Sequence, residues 1–560
     1  MKTIPFLSLL LFLAFGCDMD KSYEGFEIRD YKESVGQKYT SNPGQAFFAM
    51  DSLGSFSLTS LFAVNILPIK IYGTALLLMD QKSESEGLDG KRLPTVMKKF
   101  GFIQPAKIAN WDSESSPEPE IEGSLGFIHT QIEQQFLGKK FSVEVANITC
   151  AACHSSVTFD QNGIPKNEAW LGAGNSSLNL DGFLQEIYYG LVKGMKDPRH
   201  FLTQIREAYP DMSRDEELTI HYAIFPKIQK ALKQYKKMGR VLPFPNGGPG
   251  HTNGVGAFKR AAKILKQPFT FHSEEAGVVG IPNLMDKGFR SSYTIDGAYG
   301  VAGKPRYKSM TKEEARDPQH LNEMSHLAAF FSYSAMGNSL NNVEPNIPKV
   351  EKIFATFVRD LKPHKFPGQI DRLKASRGEQ IYKQSCSGCH GIYSEGLDEI
   401  ELQSFPNKQV AQALMGSDPY RWKGIDQSVV DFSNQNVFAK YIDAGKELGG
   451  YTAPILTGIW FKAPYLHNGS VPTLWQLLNP ELRPKKFLMG GHAIDMVDVG
   501  IKGELNTLGE YVYPSSYTPW SQPAMFDTSE SGKSNLGHEK MFEKLNSNEK
   551  RSVIEYLKLL

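Results

Sequence analysis

The chain has 560 residues, 41% hydrophobic and 11% aromatic, with a formal net charge of +1. That length allows three or four domains and that apolar content a real core. The balanced charge and the lack of a basic stripe argue against nucleic acid as a partner.

Met1-Lys2-Thr3 precedes an apolar run from Ile4 to Phe15, then Gly16-Cys17. A short positive start and an apolar core of this size is a secretory signal, too short for a membrane span. Gly16-Cys17 resembles a lipoprotein processing site at which Cys17 becomes the lipidated N-terminus, although Ala14 stands where leucine is usual. A plain cleaved signal with an incidental Cys17 is the alternative. Residues 1–17 are therefore expected to be a leader and the polar residues 18–45 a tether. The expected location is the periplasm or cell envelope, with a lipid anchor at Cys17 meeting the membrane.

The run Leu61 to Met79 comes closest to a transmembrane helix, but Asn65, Pro68 and Lys70 break it. It reads as a buried helix packing against the first motif region. Leu93 to Phe100 is a short helix candidate with Pro94 suited to its first turn. Ser113 to Glu122 is an acidic, proline-containing surface loop, and Phe141 to Ile148 alternates apolar and polar residues. Residues 178 to 239 look helical, with Asp181, Asp197 and Ser213 as candidate caps. Pro243 to Asn253 and Asn283 to Lys308 are irregular. Pro318 to Phe331 and Val350 to Leu361 look helical. Ala375 to Ser385 is an amphipathic helix, and Ser547 to Leu560 another, capped by Asn546 or Ser547. These two are expected to pack together.

Apart from Cys17, every cysteine lies in a Cys-x-x-Cys-His segment: Cys150-Ala-Ala-Cys153-His154 and Cys386-Ser-Gly-Cys389-His390. The pattern reads as c-type haem attachment. Two thiols add to the haem vinyl groups, and the next residue offers an imidazole to the iron. A thioredoxin-like pair is expected near a βαβ pattern, which neither segment shows. Zinc or disulfides are the remaining alternatives; joint zinc binding by cysteines so distant in sequence requires distant folding and leaves both histidines as coincidence. Two covalently bound haem c groups are expected, ligated by His154 and His390. The expected fold is mainly α, with two c-type-cytochrome-like haem domains, long irregular loops and little β. Residues 46–365 form the N-terminal domain and residues 366–560 the C-terminal cytochrome c domain.

Gly458 to Leu474, with Tyr465-Leu466-His467-Asn468-Gly469-Ser470-Val471-Pro472-Thr473 at its centre, resembles the signature of di-haem cytochrome c peroxidase-like proteins. Ile148 to His154, Gly416 to Arg421, Trp460 to Leu474 and Ser534 to Glu539 look closest to the rubber-oxygenase branch of that superfamily. The resemblance implies that the N-terminal haem binds oxidant while the C-terminal haem relays electrons. It also implies that His538 is the second axial ligand of the His390 haem; His492 is the runner-up. Division of labour follows from coordination: an iron with two strong ligands transfers electrons, and one with an open face binds oxygen or peroxide.

Glu274, Glu275 and Asp296 are candidates for a distal acid by position and acid–base logic; Phe269, Phe271 or Tyr293 would instead form an apolar wall. His467 is expected to be structural, and His251 and His272 could reach the first haem. Arg421 and Lys462 are candidates for pairing with haem propionates, a solvated role being the alternative. An inter-haem aromatic relay would fall to Trp170, Trp422, Trp460 or a Tyr or Phe. The expected activity is a peroxidase-like oxidoreductase reducing hydrogen peroxide, fed by a small redox protein or cytochrome. The alternatives are an oxygenase using dioxygen on an organic substrate, and a non-catalytic electron carrier.

Overall fold

The computed structural model describes residues 26–29, 42–51, 53, 67–114, 117–121, 123–136, 139–238, 244, 246–262, 277–335, 343–445 and 449–560. The leader, most of the tether, Glu274, Glu275, Phe269, Phe271 and His272 lie outside them. Helix outweighs strand, about 43% against 15%, and among the described residues no sheet closes into a barrel.

The strands are more prominent than composition suggested. Phe127–Phe136 and Lys139–Ile148 form an antiparallel hairpin joined at its edge by Phe26–Arg29. Its second strand runs directly into Cys150, so the alternation seen over Phe141–Ile148 becomes the arm that delivers the first motif. A second hairpin, Ser155–Phe159 with Pro165–Leu171, leaves from His154. Thr149, between arm and motif, caps the short helix Cys150–Cys153 through its side chain and donates to the carbonyl of Ala49 on the helix Pro43–Met50.

Two apolar clusters organise the rest. The smaller joins the helix Ile69–Leu77 to Leu180–Gly194 and Pro198–Ala208 through Ile71, Leu76, Phe183, Leu191 and Phe201. Each such fully buried side chain contributes about 1.5–3 kcal/mol of transfer free energy, which explains why the helix is buried rather than membrane-spanning. Among the described residues no helix is long and apolar enough to cross a membrane. Asp197 and Ser213 cap their helices as expected, whereas the cap of Leu180–Gly194 is Asn179 rather than Asp181.

The larger cluster draws residues from both sides of the expected boundary at 365–366, from Phe48 and Leu171 to Trp460 and Ile554. Within it the helix Arg372–Ser385 runs into the second motif and is crossed by Ser547–Leu557. The crossing is close because Gly378 has no side chain: a Cβ there would lie 1.9 Å from the Ser552 carbonyl oxygen. Asn546 starts the terminal helix with a reciprocal capping box to Glu549.

Candidate functional site

Both motif histidines are held the same way. His154 Nδ1 lies 2.9 Å from the Pro282 carbonyl oxygen, and His390 Nδ1 lies 2.8 Å from that of Pro454. A carbonyl only accepts, so each Nδ1 carries the proton and each Nε2 keeps its lone pair for a metal. Burial pushes both rings below the usual histidine range, His154 to about 4, so both are neutral and fit for ligation. Around His154 the backbone is tied down further. Gly172 donates to the His154 carbonyl and accepts from Leu284, and Asn175 donates to the Cys153 carbonyl.

The four motif cysteines are free of disulfides. Burial pushes the Cys150 and Cys153 thiols to about 12 and Cys386 to about 11, so none of these three is a ready thiolate for zinc. No group of three or more His, Cys, Asp or Glu gathers into a metal cage among the described residues.

Across from His390 stands His538. Their ring centres are 6.4 Å apart and the planes differ by 24°. A metal–imidazole bond is about 2 Å long and a ring nitrogen lies about 1 Å from its ring centre, so two imidazoles on opposite faces of one metal have centres about 6 Å apart. The spacing fits an iron between them. His538 is pushed to about 3 by burial, with lesser contributions from His390 and Arg483, and its Nδ1 has no hydrogen-bond partner. Its backbone is left-handed at φ 70°, an unfavourable state for a residue with a side chain. Arg483 compensates by donating to the carbonyls of Leu477, Asn535 and Gly537 and to Glu539. Asn468, in the Tyr465–Thr473 block, grips the same loop through the Gly532 and Ser534 carbonyls.

His154 has no such ring partner among the described residues. Around it lie Tyr293, whose hydroxyl is close enough to feel the Cys150 thiol, and Lys287, close enough to influence His154. Lys287 and Lys462 are surrounded by protein and half-buried. Burial lowers them to about 7 and 8; Arg290 and Lys462 depress Lys287 further, and no carboxylate opposes these effects. Paired cations without an acid suit a cofactor that carries carboxylates, as haem does through its propionates. Lys462 is thus not a solvated surface residue. Neither is Arg421, which is buried with its Nε 2.9 Å from Asp296 while its Nη1 lacks a hydrogen-bond partner.

Asp296 is therefore committed: it holds Arg421, Thr294 and the Ala298 amide and is not a free proton shuttle. His251 is committed too, with each ring nitrogen 2.8 Å from a carbonyl oxygen, of Pro249 and Asn468. His467 stacks on Tyr451 at 4.1 Å and its carbonyl accepts from Gly280, a structural position between the two halves. His492 is buried with an unpaired Nδ1, but Gly491 beside it donates to Ser177 and Ile494 to Gly163. Both contacts lie on elements that follow the first motif in the chain. Trp170 and Trp460 both contact the His364 ring, at 4.7 and 5.4 Å.

The sequence reading missed Pro282, Pro454 and Asn283. A main-chain carbonyl is available at every residue, so its choice as acceptor leaves no mark in the residue type. Arg483 and Lys287 stand among other charged residues, so neither left a mark in the sequence.

Comparison with known proteins bears on the second half of the site. A family profile described as RoxA-like, cytochrome c-like matches residues 450–488, which include Tyr451, Pro454, Lys462, His467, Asn468 and Arg483. Cytochrome c-551 of Bacillus subtilis is 30% identical over 79 residues, 14% of this chain and 70% of that protein. Two uncharacterized proteins of Sinorhizobium fredii, y4iM and y4iJ, are each 28% identical, over 165 and 262 residues. These matches take in 26% and 36% of this chain, and the chain spans 38% and 41% of those proteins' lengths.

Proposed function

The chain belongs to the c-type cytochromes with covalently bound haem c, and from that premise we propose that it is an exported di-haem oxidoreductase of peroxidase-like type. In this reading Cys150 and Cys153 anchor a haem ligated by His154 alone, and Cys386 and Cys389 anchor one ligated by His390 and His538. The observation that carries it is the asymmetry between the two histidines: His390 is faced by His538 at iron-bridging distance, whereas among the described residues no ring faces His154 in this way.

A haem with a vacant axial position supplies oxidant binding and one-electron chemistry. The residues do the rest. Pro282 and Pro454 fix the tautomers of the motif histidines, Lys287 and Lys462 offer charge to carboxylates, and the Arg483 cage holds His538 in place. Hydrogen peroxide is the proposed oxidant and a small redox protein or cytochrome the electron donor. The leader and Cys17 support a cell-envelope location with a lipid anchor. A second reading, oxygenase chemistry on an organic substrate, is favoured by the RoxA-like match over residues 450–488 and by the aromatic Tyr293 near the first motif.

The test is electron paramagnetic resonance of the resting holoprotein together with peroxide turnover and dioxygen binding by the reduced form. One high-spin and one low-spin ferric signal with peroxide turnover is the expected result. Two low-spin signals without oxidant binding would leave only an electron carrier.

A further inference from the structure

The two carbonyls that orient the motif histidines are joined to each other. Pro282, which accepts from His154, is followed by Asn283, whose Nδ2 donates to the Thr457 carbonyl at 3.0 Å in the buried core. Thr457 lies on the same short segment as Pro454, which accepts from His390. One continuous line thus runs from His154 through the Pro282 carbonyl, the Asn283 side chain and the Thr457–Pro454 backbone to His390, crossing three hydrogen bonds. The segments are clamped a second time: the Thr457 hydroxyl donates to Asp286 at 2.5 Å and lies 3.1 Å from the Tyr393 hydroxyl.

We infer that Asn283 is a positioning residue for electron exchange between the two sites, and that its amide forms the through-bond link between the proximal imidazoles. The inference rests on the di-haem reading above. Hydrogen bonds from a metal-bound histidine to its acceptor tune ligand basicity and hold the ring; here the acceptors of both rings are held at one point. In the exchange, one electron leaves the iron held by His390, which goes from ferrous to ferric, and reduces the iron held by His154 from ferric to ferrous. No proton needs to travel, since every hydrogen bond on the line keeps its donor and acceptor. Trp170 and Trp460 offer no equivalent line: their indoles donate to the carbonyls of Lys362 and His364, not to either proximal segment.

The experiment is pulse radiolysis of the full-length holoprotein, delivering one electron and following its redistribution optically, with midpoint potentials measured in parallel. Asn283→Leu, close in shape but without a donor, is expected to slow inter-haem exchange about tenfold or more and to raise both midpoint potentials together. Asn283→Ser, too short to reach Thr457, is expected to behave the same way and serves if the leucine variant does not accumulate. Thr457→Val keeps the accepting carbonyl and loses only the hydroxyl clamp, so its exchange rate should match the wild type. An unchanged rate in both Asn283 variants would overturn the inference, as would equal slowing in Thr457→Val, which would reduce the effect to general loosening. Intact mass separates the two levels: a wild-type product without two haems fails the di-haem reading, whereas two haems with an unaffected rate fails only the role of Asn283.

Discussion

The imidazoles of His390 and His538 face each other with ring centres 6.4 Å apart and planes within 24°, although one follows a helix and the other sits in a loop at left-handed φ. Apolar packing alone gives no reason for two neutral, buried rings to stand apart at this spacing with an unpaired nitrogen on His538. The iron proposed to lie between them does.

His538→Ala is expected to convert the His390 haem from low spin to high spin while leaving the intact mass otherwise unchanged. Electron paramagnetic resonance and the optical spectrum of the ferric protein check it. A low-spin signal surviving in the variant would mean that another residue is the second ligand.

Arg483 is the support of that ligand. Its guanidinium is buried beneath the loop and donates to the four carbonyls of Gln476, Leu477, Asn535 and Gly537 and to Glu539. Arg483→Met leaves those carbonyls without their donor, at a cost of about 3 kcal/mol. The expected signature is a lowered denaturation midpoint together with a mixed-spin His390 haem. A stability loss with a purely low-spin spectrum would separate the loop's packing from its ligand.

The sequence was most informative where side chains carry the signal. The motifs, the helices Arg372–Ser385 and Ser547–Leu557, and the meeting of His538 with His390 follow from residue type, amphipathic spacing and resemblance. What stayed hidden depends on backbone or on distant partners. Asp296 looked like an available acid until Arg421, far along the chain, was found against it. The Phe127–Phe136 strand escaped notice because its hairpin partner, not its own pattern, defines it.

Gly378 tests the closure of the C-terminal part. A side chain there would run into the Ser552 carbonyl at 1.9 Å, a backbone atom in a helix that cannot step aside without losing its own packing. Gly378→Val is expected to destabilise the protein by about 1–3 kcal/mol, read by chemical denaturation. Exposed Gly396, with nothing near its Cβ position but a φ of 91°, should show only the smaller backbone cost when changed to alanine.

Asp286 gives the stability a pH dependence of unusual sign for an aspartate. Burial raises it from 3.8 to about 6, partly offset by the Thr457 hydrogen bond. Between about pH 4 and 6 the folded protein therefore keeps a proton that the unfolded chain has released. This group's contribution favours folding below about pH 4 and is lost as pH rises through 6, by up to about 3 kcal/mol. Asp286→Asn should flatten that part of the stability–pH curve; a curve identical to the wild type would mean that Asp286 ionises freely in the folded state.

Lys287 makes the most direct electrostatic prediction. Its ammonium is enclosed near His154 and meets no carboxylate there, only Arg290 and Lys462. Because burial lowers Lys287 to about 7, it carries its full charge only below that pH, where a positive charge in a low-dielectric space opposes oxidation of a nearby metal more strongly than the same charge in water. Lys287→Met is therefore expected to lower the midpoint potential of the His154 haem while leaving that of the His390 haem nearly unchanged. Lys287→Arg, which keeps the charge, should stay close to wild type. Spectroelectrochemical titration with the two haems resolved by spin state reads both. If the methionine and arginine variants shift alike, the effect comes from packing around the motif and not from the charge. If only the methionine variant shifts, the cation is part of what sets the potential at His154.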